Sequence, residues 1–460
     1  MAAADSVHSD LRPERQLTTA PHGHILTNAN VWSPDGRWIV YDVRSDPAGS
    51  VFDGTRIEAV HVESGEVRVL YESQAAACCG AASFCPTDDK VVFIHGPENP
   101  TPDWQYSPWH RRGVVVDSGL ADGHAREAVG RAANHGSATA ENLDARDLTP
   151  PFTPGALRGG THLHIYSPDG QWIAFTYEDH LLANLPPGTT DADLNQRNVG
   201  VCIPHGPVRV KRDHARNHDG THVSVLVTRT VNQPRPGSDE ISRACEEAWI
   251  GTNGYVRLDG TRQRRALAFQ GTVMTERGLA IAEAFIIDLP DDLTQPGEGP
   301  LAGTATRRPL PPRGVVQRRL SYTADRKHAG LQGPRHWLRS TPDGSRVAML
   351  MKDDAGVVQL WTISPNGGAP RQLTHNPHDI ASAFTWSPEG GRIAHLLDGS
   401  VCVTDADTGR TRRLSAKQSA ETAPRPEACV YSPRADRIAY VRPAIRGGSV
   451  YNQIFTVPLD

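Results

Sequence analysis

The sequence predicts an all-β fold: one seven-bladed β-propeller of four-stranded blades, its ring closed by the N-terminal strand joining the last blade. Three observations carry this. A short phrase recurs along the 460 residues. Each copy sits between two alternating apolar runs, and the last blade lacks a strand that the beginning of the chain can supply.

The phrase reads WSPDG from Trp32, FCPTDD from Phe84, YSPDG from Tyr166, STPDG from Ser340, WSPEG from Trp386 and YSPRAD from Tyr431. Its Pro, Asp and Gly are turn formers, so each copy joins two strands as a hairpin. Second strands follow (RWIVYDV, QWIAFTY, SRVAMLM, GRIAHLL), then third runs (VVQLWTIS, SVCVTDAD, QIFTVPLD). Fourth runs end on a basic residue with Leu-Thr or Leu-Ser, as in RQLT from Arg371 and RRLS from Arg412. In the blade without a turn phrase, THVSVLVT (221–228) reads as the first strand, with ALAFQG, AEAFIIDL and VVQRRLSY behind it. The chain ends on a third strand, and RQLT from Arg15 supplies the missing fourth. Residues 1–13 read as a tail and 14–460 as one propeller, with insertions near 98–150, 180–220 and 229–262. The Ala/His/Gly/Asn-rich stretch 119–149 reads as a flexible loop.

Composition agrees. Hydrophobic residues are 38% and charged residues 22%, with 42 Gly and 36 Pro, which suits short strands and turns. A net charge of -4 gives no general attraction to nucleic acid or an anionic membrane. There is no long apolar run, and Met1–Gln16 is polar, so a cytoplasmic location away from membranes is the expectation. Seven irregularly spaced cysteines read as reduced thiols rather than a disulfide framework. No GxSxG elbow, P-loop, GxGxxG or HExxH occurs, which argues against serine hydrolases, NTPases, dinucleotide enzymes and zincins.

The inner strand of each blade lines the channel, and strand alternation assigns faces. Six positions before the turn proline stand Asn28, Gly80, His162, His336, Ser382 and Glu427; four before it stand Asn30, Ala82, His164, Leu338, Phe384 and Cys429. With His222 on the strand read into the unmarked blade, three consecutive blades aim histidine at one sector of the channel. Three or more imidazoles with an open position describe a catalytic divalent metal site, and His162, His164, His222 and His336 are its candidate ligands. The same histidines would also serve as hydrogen-bonding groups in a wet channel.

Several longer strings, VFIHGPENP, HRRGVVV, LRGGTHLHIYSPDG, RNVGV, PGSDEISRACEEAWIG and PPRGVVQRRL, resemble the YidR-type bacterial family, whose repeats are TolB-like. That resemblance spans nearly the whole chain and implies the propeller fold. The HLH pair, His162 and His164, also resembles the oligogalacturonate lyases, seven-bladed propellers with a histidine-rich manganese site. Their pattern places Gln three residues before the pair, where this chain has Gly159. The resemblance implies a divalent ion, manganese or zinc, on the HxH pair.

Insertions gather over the channel mouth, where a site is built. His110, Arg111 and Arg112 follow the aromatic stretch DWQYSPWH, and the two arginines are candidates to clamp an acidic sugar. Glu178, Asp179 and His180 end a strand, with His180 the first candidate for a general base. Glu246 and Glu247 are read as acid/base groups on a short helical lid. The expected function is a metal-assisted carbohydrate enzyme, most plausibly a lyase acting on a uronic or keto-sugar by β-elimination, with a hydrolytic version open. The alternative is a non-catalytic propeller that binds a small ligand or a protein partner.

Overall fold

The computed structural model describes residues 7–120 and 140–459. Most of the stretch read as a flexible loop, 121–139, lies outside the described residues. Seven sheets stand around one axis, each built on a meander of four antiparallel strands that follow one another along the chain except in blade seven, and a two-stranded ribbon hangs from blade four. Each of the seven large apolar clusters is an interface between neighbouring blades. Phe175, Val199 and Val201 are typical members, with Val199 and Val201 meeting Phe269 and Phe285 across blades three and four. The ring is thus held by seven sheet-on-sheet cores, each burying side chains that contribute roughly 1.5–3 kcal/mol apiece.

The recurring phrases have structural reasons. In the SPDG turn the Ser33 hydroxyl donates to Asp35 at 2.6 Å and accepts from the Trp38 amide at 2.9 Å, closing the hairpin. Ser167 accepts from the Trp172 amide at the same distance. The Leu-Thr and Leu-Ser endings supply hydroxyls that accept amides of the neighbouring strand. Thr18 takes Ile454, Ser321 takes Ala284, Thr374 takes Leu360 and Ser415 takes Val401, each at 2.9 Å. Indole N–H groups then tie blade to blade: Trp32 to the Val430 carbonyl, Trp249 to Ile165 and Trp386 to Arg339.

Ring closure is as expected, with Arg15–Gln16 antiparallel to Ser449–Pro458 in blade seven. The tail is more than a tail. His8–Ser9 adds a parallel fifth strand to blade six, so the first residues of the chain stitch two blades.

Blade four differs from the sequence reading. Val223–Leu226 is the outermost strand of blade three, pairing only with Asn198–Ile203. The inner strand of blade four is Ile241–Trp249, within the region read as an insertion and lid. Its polar run of Arg243, Glu246 and Glu247 hides the alternation expected of an inner strand. The other three strands of that blade are where the sequence places them. Among the described residues, no helix is long and apolar enough to cross a membrane.

Candidate functional site

Inner strands of blades two, three and four share a defect that decides what faces the channel. Pairing with the second strand slips between Gly80 and Ser83, between His162 and Ile165, and between Cys245 and Ala248. In each the second residue of the slip is left-handed: Ala81 at φ 55°, Leu163 at 57° and Glu246 at 55°. A bulge inserts an extra residue and breaks the period-2 alternation. His162 and His164, two apart across the bulge, therefore no longer share a face. Leu163, Ile165, Trp337 and Ala383 meet at the middle of the channel in an apolar plug with Ala29, Ala248 and Trp249.

The plug divides the channel into two cavities. One, about 480 Å³, lies among the SPDG turns. The other, about 670 Å³, opens on the opposite face, and its wall carries the chemistry: Asp42, Arg44, Phe52, Tyr106, Arg111, His162, Arg335, Trp337 and Glu427. Arg111 Nη2 donates to His162 Nδ1 at 3.1 Å, while its Nη1 lies 3.4 Å from the Tyr106 hydroxyl. Glu178 holds Arg111 from behind at 3.5 Å and is itself held by Arg197 at 3.4 Å. Across the cavity Glu246 fixes Arg335 at 2.7 Å, and Arg335 lies over the Trp337 ring. Arg44 pairs with Asp42 and covers Phe52, which stacks on Tyr106. Burial, with Arg111, Arg197 and Arg335 nearby, holds the His162 imidazole well below its usual pKa, so it is neutral at neutral pH. Burial raises the Tyr106 phenol, which keeps its proton.

The four proposed metal ligands do not converge. His162 faces the cavity, but the bulge turns His164 into the seam between blades two and three, where it packs on Gly113 and bonds Thr161 at 3.0 Å. His336 has both ring nitrogens engaged, Nδ1 donating to the Pro334 carbonyl at 2.8 Å and Nε2 accepting the Leu350 amide at 3.1 Å. In blade six Ser382 stands at the same repeat position and accepts the Leu396 amide in the same way, at 2.9 Å. His222 precedes the outermost strand of blade three and contacts Thr221, because its segment belongs to that blade. This donor set does not fit a channel metal.

The other candidates divide between three places. Arg111 lines the cavity as expected. Arg112 turns away to Glu98 at 2.9 Å. His180 begins a helical turn, His180–Ala183, and belongs to an outer group in which its Nδ1 meets His110 Nε2 at 3.0 Å beside Trp104. Asp179 caps that turn and pairs with the buried Arg158. Glu246 and Glu247 sit on an inner strand and not on a helical lid. Glu246 positions Arg335, whereas Glu247 is fully buried, accepts from Thr176 at 2.8 Å, and is raised by burial to about 7. Sequence reasoning missed Arg44, Phe52, Arg335 and Trp337. Arg335 and Trp337 carried a signal, standing one residue to either side of the aligned His336, whereas nothing in the repeat alignment marked Arg44 or Phe52.

A family model described as "Protein of unknown function (DUF3748)" matches residues 78–218, the span of blade two and most of blade three. Among solved structures, an oligogalacturonate lyase in complex with manganese aligns over 98% of this chain and 93% of its own, with TM-score 0.56 and 11% identity. An oligogalacturonate lyase from Vibrio parahaemolyticus aligns over 99% and 96%, with TM-score 0.53 and 10% identity. At such identity the likeness is one of fold, the seven-bladed propeller. The "Uncharacterized protein YidR" of Escherichia coli (strain K12) is 44% identical over 434 residues, covering 94% of this chain and 95% of its own. Identity at that level across nearly the full length of both chains means that the chain belongs to the YidR family.

Proposed function

We propose that the chain is a carbohydrate lyase acting on an oligosaccharide that carries a carboxylate, with the 670 Å³ cavity as its active site. The observation that carries this reading is the pairing of Arg111 with a neutral, buried His162. Three arginines, Arg44, Arg111 and Arg335, line the cavity with three aromatic rings, Phe52, Tyr106 and Trp337. Planar guanidinium groups bind carboxylate in two-point fashion, and aromatic faces receive sugar rings.

The chemistry follows from the charge balance. A substrate carboxylate draws Arg111 off His162 Nδ1, which both frees that nitrogen and neutralises the cation that depresses it. His162 then takes the proton on the carbon bearing the carboxylate, the C–H pair forms the new double bond, and the bond to the glycosidic oxygen breaks. The Tyr106 hydroxyl supplies the proton to the leaving oxygen. The fold shared with the oligogalacturonate lyases is consistent with this reading, although the ligand set for a channel ion is not reproduced.

The test is incubation of purified protein with short galacturonate oligomers, following the ultraviolet absorbance of the unsaturated uronate. Turnover lowered about a hundredfold by Arg111→Ala and abolished by His162→Ala supports the reading. Binding without turnover would make the chain a carbohydrate-binding propeller, and neither binding nor turnover would remove acidic sugars as the ligand class.

A further inference from the structure

Blade one carries a second group of side chains, on the side that faces blade seven. His22 and His24 lie two apart at the start of its inner strand, their rings stacked with centroids 4.5 Å apart. Glu58, from the third strand of the same blade, completes a cluster whose ligand atoms all lie within 4.8 Å of one another. His24 is fully buried and Glu58 nearly so, while His22 is half-buried and forms the entry side.

The hydrogen bonding sets the chemistry. His24 Nδ1 donates to the Asn452 carbonyl at 2.9 Å, which fixes the tautomer and leaves the lone pair on Nε2. That Nε2 is buried without a hydrogen-bond partner, and so is the Nε2 of His22. Two unpartnered buried imidazole nitrogens carry a desolvation cost that nothing in the protein offsets. Tyr41 donates to one oxygen of Glu58 at 2.9 Å, and Arg56 approaches the other only to 3.9 Å, leaving the carboxylate able to take a cation.

We propose that His22, His24 and Glu58 bind a divalent transition-metal ion of the zinc class, with solvent on the His22 side as the fourth ligand. Two imidazoles and one carboxylate are a borderline donor set, suited to zinc rather than to magnesium or calcium. Ligands around an ion at about 2.0–2.1 Å stand roughly 3.4 Å apart, so the cluster closes by a small movement of side chains. The position gives the ion a role. Asn452 belongs to the strand that closes the ring, and its side chain also bonds the Ala48 carbonyl, so an ion on His24 Nε2 strengthens the Nδ1–H bond that blade one makes to blade seven at the seam.

The test uses the full chain, stripped with a chelator and dialysed against zinc(II). Bound zinc is measured by inductively coupled plasma mass spectrometry, and the melting temperature is read with and without the ion. About one zinc per chain with a raised melting temperature is expected, with affinity at least tenfold weaker in His22→Ala and in Glu58→Gln. His22 is half-exposed, so its variant remains folded if a substitution at buried His24 does not. His162→Ala is expected to keep its zinc, which separates this site from the cavity. No zinc in the unsubstituted protein, undiminished zinc in both blade-one variants, or zinc lost in His162→Ala would each overturn the proposal.

Discussion

Arg111 Nη2 stands 3.1 Å from His162 Nδ1, a cation aimed at the atom that must be free before a proton can be taken. Replacing Arg111 by Ala removes both the carboxylate clamp and the charge that depresses the imidazole. A fall of roughly a hundredfold in kcat/KM is expected on acidic oligosaccharides. The acidic limb of the pH profile should also move to higher pH, since a nearby positive charge no longer disfavours the imidazolium. An unmoved limb would show that His162 is not the titrating base.

His336 serves the backbone of blade five as Ser382 serves blade six. His336→Ala strands the buried Leu350 amide and leaves a hole. A loss of about 3 kcal/mol in urea unfolding is expected, with bound zinc unchanged.

Ala435 occupies the place that Gly36, Gly170, Gly344 and Gly390 hold in other turns, at φ 55° where those glycines run from 68° to 77°. Its amide makes the same turn bond, to the Ser432 carbonyl at 3.0 Å. An L side chain in the left-handed region costs roughly 1–2 kcal/mol, partly offset by the greater unfolded-state freedom of glycine. Ala435→Gly is therefore expected to stabilise by about 0.5–1 kcal/mol, read as a higher urea midpoint at unchanged slope.

Glu247 and the buried histidines shift stability with pH in opposite directions. Burial raises Glu247 from 4.5 to about 7, so the folded chain binds that proton more tightly. This contribution is fully present below pH 4.5 and is lost as pH rises through 7, about 3 kcal/mol in all. His336 and His395 are lowered from 6.5 to about 4 by burial, so their contribution is present above pH 6.5 and is lost as pH falls through 4. Glu247→Gln should be more stable than the unsubstituted protein at pH 8 and close to it at pH 4. Denaturant midpoints at the two values measure this, and equal gaps at both would exclude Glu247 as the source.

The propeller was legible because its turns, second strands and Leu-Thr endings each perform a local job that repeats in sequence. Ser33 with Asp35, and Thr18 with Ile454, are bonds that the words themselves encode. Blade four was displaced because its inner strand carries Glu246 and Glu247 where apolar residues were sought. The histidine cluster dissolved for a different reason: alternation places His162 and His164 on one face only in a regular strand, and one left-handed residue between them reverses that. Arg111 was found because it sits beside an aromatic run, whereas Arg44 carried no such mark and its place in the wall follows only from its pairing with Asp42 and its cover of Phe52.

The stitching of blades six and seven by the first residues of the chain also has a temporal side. Arg15 and Gln16 find their partners, Thr456 and Phe455, in a strand made long after them. At cellular rates of synthesis that interval is on the order of half a minute. Through it Arg15 and Gln16 stay unpaired while blades one to six take shape, and the ring closes only once Ser449–Pro458 has been made.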